Sequence, residues 1–131
     1  MSWAEVSVVF LVSHLVGDFL VQSEWQATHK YRGLGRDPTA RRALLSHIFT
    51  YTLSFVPALI WIGDARGIAI AVGAGALIAL PHLVIDDGRL ALAYMSAVKG
   101  TPNPPPTYLA VAVDQSFHVV SLWALALLLA A

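Results

Sequence analysis

The sequence contains no cysteine, which excludes a disulfide framework, a thiolate nucleophile and every sulfur-ligated zinc or iron-sulfur site. Charge is almost as scarce, at 12% of 131 residues, with eight basic side chains against eight acidic ones. With no clustered positive excess, the chain lacks the electrostatic footprint of a nucleic-acid-binding protein. The N-terminus, "MSWAEVSVVF", has no basic stretch before its apolar run and no small-residue cleavage site after it, so it reads as a retained membrane helix and not as a signal peptide.

What is abundant is hydrophobicity, 57% of all residues, well above an ordinary soluble domain. Crossing a bilayer takes about 20 mostly apolar residues, and four segments meet that requirement, roughly 4–24, 43–63, 67–92 and 107–130. "ATHKYRGLGRDPTARR" separates the first two, a tight "GDARG" turn the next two, and the proline-rich "KGTPNPPPT" the last two. The expected fold is therefore all-α, a single transmembrane domain over residues 1–131 built as an up-down four-helix bundle. Lys30, Arg32, Arg36, Arg41, Arg42, Arg89 and Lys99 fall on one side of that arrangement and only Arg66 on the other, which places both termini on the non-cytoplasmic side. Trp3, Trp25, Tyr31, Trp61, Tyr94 and Tyr108 fall near predicted helix ends, as interfacial aromatics do. Small residues in "AIAVGAGALIA" permit close helix approach, and Pro57 and Pro81 each remove a helix hydrogen bond.

Against this apolar background each expected helix carries a polar pair at a spacing of four: His14 and Asp18, His47 and Tyr51, His82 and Asp86, Asp114 and His118. That spacing puts both members on one helical face. Counting about 1.5 Å of rise per residue from the expected helix ends, the three aspartates lie roughly 9–10 Å below the cytoplasmic edge and His14, His82 and His118 roughly 15–16 Å below it. Antiparallel helices thus deliver these groups to one layer. Each ionisable group at mid-bilayer costs at least about 2.5–3.5 kcal/mol, so such groups face inward and are paired, solvated or bound to an ion.

Three carboxylates and four imidazoles with no lysine nearby repel one another when they are alone, and a divalent cation removes the conflict. The candidate ligands are His14, Asp18, His47, His82, Asp86, Asp114 and His118, a donor set suited to zinc first, then manganese or iron(II), and numerous enough for two ions. Tyr51, Gln22 and Gln115 are placed to support ligands through hydrogen bonds. Asp87 points about 100° from Asp86 on a helix and reads as an interfacial charge paired with Arg89, while His29 lies in a loop and reads as solvated.

The segments "HLVGDFLVQSEWQA", "SHIFTYTL", "PHLVID" and "VDQSFH" together resemble an uncharacterised bacterial family of small integral membrane proteins, a domain of unknown function with HLxGDF, HxxxY, HxxxD and DQxxH motifs. The resemblance implies a four-helix fold in the bacterial inner membrane and supplies no activity. More loosely, the His/Asp pattern is similar to that of membrane-bound metal-dependent hydrolases and helical zinc-dependent phospholipases. The leading expectation is an intramembrane metal-dependent hydrolase acting on a phosphoester or headgroup bond of a lipid-like substrate, with Asp18 or Asp114 as general base. The alternatives are metal or proton transport, for which a homo-oligomer would have to supply the path, bis-histidine haem ligation, and a structural metal that staples a scaffold. Membrane lipids are the expected surroundings, with no nucleic-acid partner.

Overall fold

A computed structural model describes all 131 residues. It contains seven α-helices and one π-helical turn, with no strand: α1 (Trp3–Leu15), the π-helical segment Val16–Val21, α2 (Glu24–His29), α3 (Pro38–Ser54), α4 (Val56–Arg66), α5 (Ile68–Asp86), α6 (Arg89–Lys99) and α7 (Thr107–Ala130). Three helical stretches are long and apolar enough to cross a membrane, Trp3–Val21, Ile68–Asp86 and Thr107–Ala130. A fourth, α3 with α4, qualifies as one span bent by 53°. The bend falls at Phe55, just before Pro57, whose ring cannot continue the preceding hydrogen-bond ladder. Pro81, by contrast, stays inside α5.

Three boundaries differ from the sequence reading. The third helix ends at Asp86 and not near residue 92, because Gly88 takes a left-handed φ of +80° and starts a separate helix. The polar loop after the first span holds a short helix of its own, α2, capped by reciprocal bonds between Ser23 and Gln26. The second span begins earlier, at Pro38, with the Asp37 side chain accepting from the Thr39 amide.

Packing divides the molecule into two halves along its length. One half is apolar: Phe10, Tyr51, Phe55, Ile62, Ile78 and Leu122 form a continuous core closed by alanines such as Ala58, Ala71 and Ala126. The other half buries histidine and aspartate. The outer surface is the reverse of a soluble protein's, with Leu20, Ile68, Phe49 and Leu128 all more than 60% exposed. Contiguous exposed apolar surface on this scale needs an apolar neighbour.

Two glycines decide how the elements meet. A Cβ on Gly17 would lie 2.6 Å from Tyr51 Cδ2 and 2.9 Å from Ser54 Oγ, so only glycine lets the π-helical segment rest on α3. At Gly88 the ring of Tyr31 occupies the place of a side chain, which brings the loop after α2 down onto the α5–α6 junction.

Candidate metal centre

Every expected ligand reaches the same buried layer. His14, His47, His82 and His118 are each at most 2% exposed, and Asp18 and Asp86 are nearly as buried. Asp114 keeps 28% of its side chain accessible. The first ligand pair sits at the start of the π-helical turn, a distortion common at functional sites because it re-aims a side chain without ending the helix.

Four donor atoms from three separate stretches of chain converge. His47 Nε2 lies 3.0 Å from His82 Nε2, 2.9 Å from Asp86 Oδ2 and 3.3 Å from Asp18 Oδ1. His82 Nε2 lies 3.1 Å from Asp86 Oδ2 and 3.4 Å from Asp18 Oδ1. An ion with four ligands at about 2.0–2.2 Å separates those ligands by about 3.3–3.6 Å, so these five spacings are close to those around a tetrahedral ion and a small expansion would reach them. The alternative of direct hydrogen bonding is only partly fulfilled: the Lys30 ammonium lies 2.8 Å from Asp86 Oδ2, whereas Asp86 Oδ1 and Asp18 Oδ1 are buried without a hydrogen-bond partner. Buried carboxylate oxygens are seldom left in that condition.

A second group shares Asp86. Its Oδ1 lies 3.5 Å from His118 Nε2, and Asp114 completes a triad whose donor atoms lie within 4.8 Å of one another. His118 Nδ1 donates to the Asp114 carbonyl at 2.9 Å, which leaves Nε2 free of its proton and without a partner. This is the arrangement by which proteins present an imidazole to a metal. His47 and His82 have no such support, since Nδ1 of each is buried and unbonded.

His14 behaves differently. Its Nε2 donates to Gln115 Oε1 at 3.0 Å and its Nδ1 accepts from the Tyr51 hydroxyl at 3.0 Å, so both nitrogens are engaged, although Nδ1 is also 3.6 Å from Asp18 Oδ2. A further three-donor group joins His14 with Asp18 and His82. Gln115 also donates through Nε2 to Asp18 and Asp114, each at 3.3 Å, and thereby fixes two carboxylates and one imidazole. Tyr51 stacks on His82 with 3.4 Å between ring centroids. Both therefore contact the candidate ligands directly. Gln22 does not: its Nε2 is buried with no partner.

Two features were not foreseen. Lys30 Nζ lies 2.8 Å from Asp86 Oδ2, so the expectation of no lysine nearby is wrong, and the three carboxylates have one fixed cation among them. The capping box at Ser23 and Gln26 was a readable signal for the helix that returns Lys30 to the site. Asp87 pairs with Arg89 at 2.6 Å, as expected, but it is buried and also accepts from the Leu34 amide at 2.8 Å. Its carbonyl accepts from the Arg32 amide at 2.9 Å, so Asp87 clamps the loop that carries Lys30.

These buried His/Asp clusters have the chemistry and spacing to hold a metal ion. No curated protein and no solved structure matches the chain. A family model described as "Protein of unknown function (DUF3307)" matches residues 6–131, which takes in all four polar pairs, and the chain belongs to that family.

Proposed function

We propose that the protein is an intramembrane metal-dependent hydrolase acting on a phosphoester or headgroup bond of a lipid-like substrate. In this reading four spans form a bundle in the bacterial inner membrane, with both termini on the non-cytoplasmic side and the His/Asp layer toward the cytoplasmic leaflet. The observation that carries it is the convergence of His47 and His82 on Asp18 and Asp86, each imidazole Nε2 within 2.9–3.4 Å of a carboxylate oxygen of both, with Asp18 Oδ1 and Asp86 Oδ1 left without a hydrogen-bond partner.

The two halves of the site divide the work. His47, His82 and Asp86 form one three-donor group, which Asp18 at 3.3–3.4 Å from both imidazoles would complete to the closed set of four typical of a structural or supporting ion, whereas Asp86, Asp114 and His118 would supply three and leave a position open. Zinc is the first candidate for this donor set, followed by manganese or iron(II). Bound by these residues, a divalent ion would supply Lewis-acid chemistry, acidifying a water and polarising the scissile oxygen. Asp86 bridges the two halves through its two oxygens. Asp114, the most accessible of the three carboxylates while Asp18 is enclosed, would serve as general base only where it is left unligated, with Asp86 and His118 then holding the ion of this half. His14, Tyr51 and Gln115 hold the layer rigid through the hydrogen bonds given above.

A purely structural metal is the second reading, favoured by the closed four-donor half. Elemental analysis of detergent-purified protein tests the common premise. Wild type is expected to hold one or two zinc, manganese or iron ions per chain, and Asp86→Ala and His118→Ala to lose one or both at equal folded yield. Wild type that carries no metal and takes none on titration sinks the hydrolase; metal retained by His118→Ala with no turnover in any form leaves only the staple.

A further inference from the structure

Between α2, the α5–α6 junction and α7 lies a cavity of about 360 Å³ that opens the centre to the outside. Its charged lining is Lys30 with Asp86 and Asp114, and much of the remaining wall is apolar, including Ala91, Met95 and Val111. We infer that this cavity is the lateral port for a membrane lipid bearing a phosphate monoester, and that Lys30 is the residue that recognises the phosphate. The inference rests on the proposal of a metal in the His/Asp layer, and it adds which substrate is taken and through which wall.

Lys30 is the reason for choosing phosphate. It is the one cationic side chain that enters the His/Asp layer, and its side chain keeps 17% of its surface accessible toward the cavity. A lysine needed only to neutralise Asp86 would gain nothing from standing in a port. Its position is also built, not incidental: the Arg32 and Leu34 amides are tied to Asp87, and Tyr31 is seated on Gly88. Charge points the same way. Three aspartates, one lysine and a divalent ion sum to zero, and a second ion leaves an excess of two positive charges, which a phosphate monoester dianion matches. Without metal, Asp86 and Asp114 would repel that anion, so recognition depends on the loaded site. The apolar wall then accommodates the first carbons of the chain, and the exposed stripe of Leu90, Tyr94 and Val98 on α6 keeps the rim in contact with lipid.

The test is binding, measured by calorimetry on zinc-loaded protein in detergent with dihexanoyl phosphatidic acid, dihexanoylglycerol and inorganic phosphate, for wild type, Lys30→Met and Lys30→Arg. Loss of a charge-assisted contact predicts that Lys30→Met weakens phosphatidic acid binding at least about tenfold, leaves zinc stoichiometry unchanged, and is largely rescued by Lys30→Arg. Wild type should bind phosphatidic acid more tightly than either of the other two probes. Equal binding of dihexanoylglycerol, equal binding of inorganic phosphate, or an unaltered Lys30→Met each overturns the inference. So does Lys30→Met shedding zinc together with lipid, since Lys30 would then be a counterion of Asp86 and nothing more. Lipid binding that depends on Lys30 but never leads to hydrolysis removes the catalytic proposal and leaves this one standing, whereas zinc held without lipid binding does the opposite.

Discussion

A methyl group has no room on Gly17. It would fall 2.6 Å from the Tyr51 ring and 2.9 Å from Ser54 Oγ, and Tyr51 is the residue that stacks on His82 and donates to His14. Overpacking at such a contact costs about 1–3 kcal/mol, and here the displaced side chain supports two members of the metal layer. Gly17→Ala is therefore expected to lower the thermal midpoint in detergent and to reduce metal content together. Gly73→Ala is the control, since nothing lies within 4 Å of its added Cβ and alanine favours a helix. If both variants melt and load like wild type, Gly17 is not the contact that seats the π-helical segment. The pairing of His14 with Asp18 was legible because polar residues spaced by four stand out in an apolar run. The π-helical turn between them was not, because α and π turns share the same local propensities and the choice is made by what packs against them.

At the scale of elements, the join between α5 and α6 does more than connect two helices. Asp87 ties Arg89, the Leu34 amide and the Arg32 amide to one point, and so holds the α2 loop over the centre. Asp87→Ala leaves the Leu34 amide without its acceptor and is expected to cost about 1–3 kcal/mol, read as a drop in thermal midpoint, and to weaken phosphatidic acid binding by releasing Lys30. Metal content should hold, because Asp86 remains on α5; a variant that binds lipid like wild type would show that Lys30 needs no clamp. Counting a full bilayer span merged α5 with the start of α6, because apolar residues resume at Leu90, Ala91 and Leu92 after the short polar stretch Asp86-Asp87-Gly88-Arg89 that marks the break. Lys30 escaped for a related reason. Depth counted along the helices treats every loop as lying outside, and a loop that folds back is set by tertiary contacts such as Tyr31 on Gly88. That the seven candidate residues would gather was readable, because ionisable residues in apolar helices leave few other arrangements.

The whole molecule is apolar at its surface and buries its polar groups in one half, with the basic residues of the α2 loop and α6 gathered at the end that holds the site and Arg66 bonded to the Leu129 carbonyl, in the helix-end region of α4 and α7. In the proposed membrane protein that asymmetry puts the site end on the cytoplasmic side, because lysine and arginine in short loops are retained there. Since the sequence has no cysteine, one introduced at an exposed position reports on its own location without interference. Arg36 and Asp64 are both exposed and lie at opposite ends of the bent α3–α4 pair. In intact spheroplasts a membrane-impermeant maleimide should label Asp64→Cys and leave Arg36→Cys unmodified, and in inverted vesicles the pattern should reverse. The reversed result in spheroplasts would put the lipid port and Lys30 in the outer leaflet. Labelling of both positions from one side would mean that α3 and α4 do not form a single span, and the 53° bend would then belong to a re-entrant hairpin, with the His47 and Tyr51 side chains entering the layer from the same face as the loop.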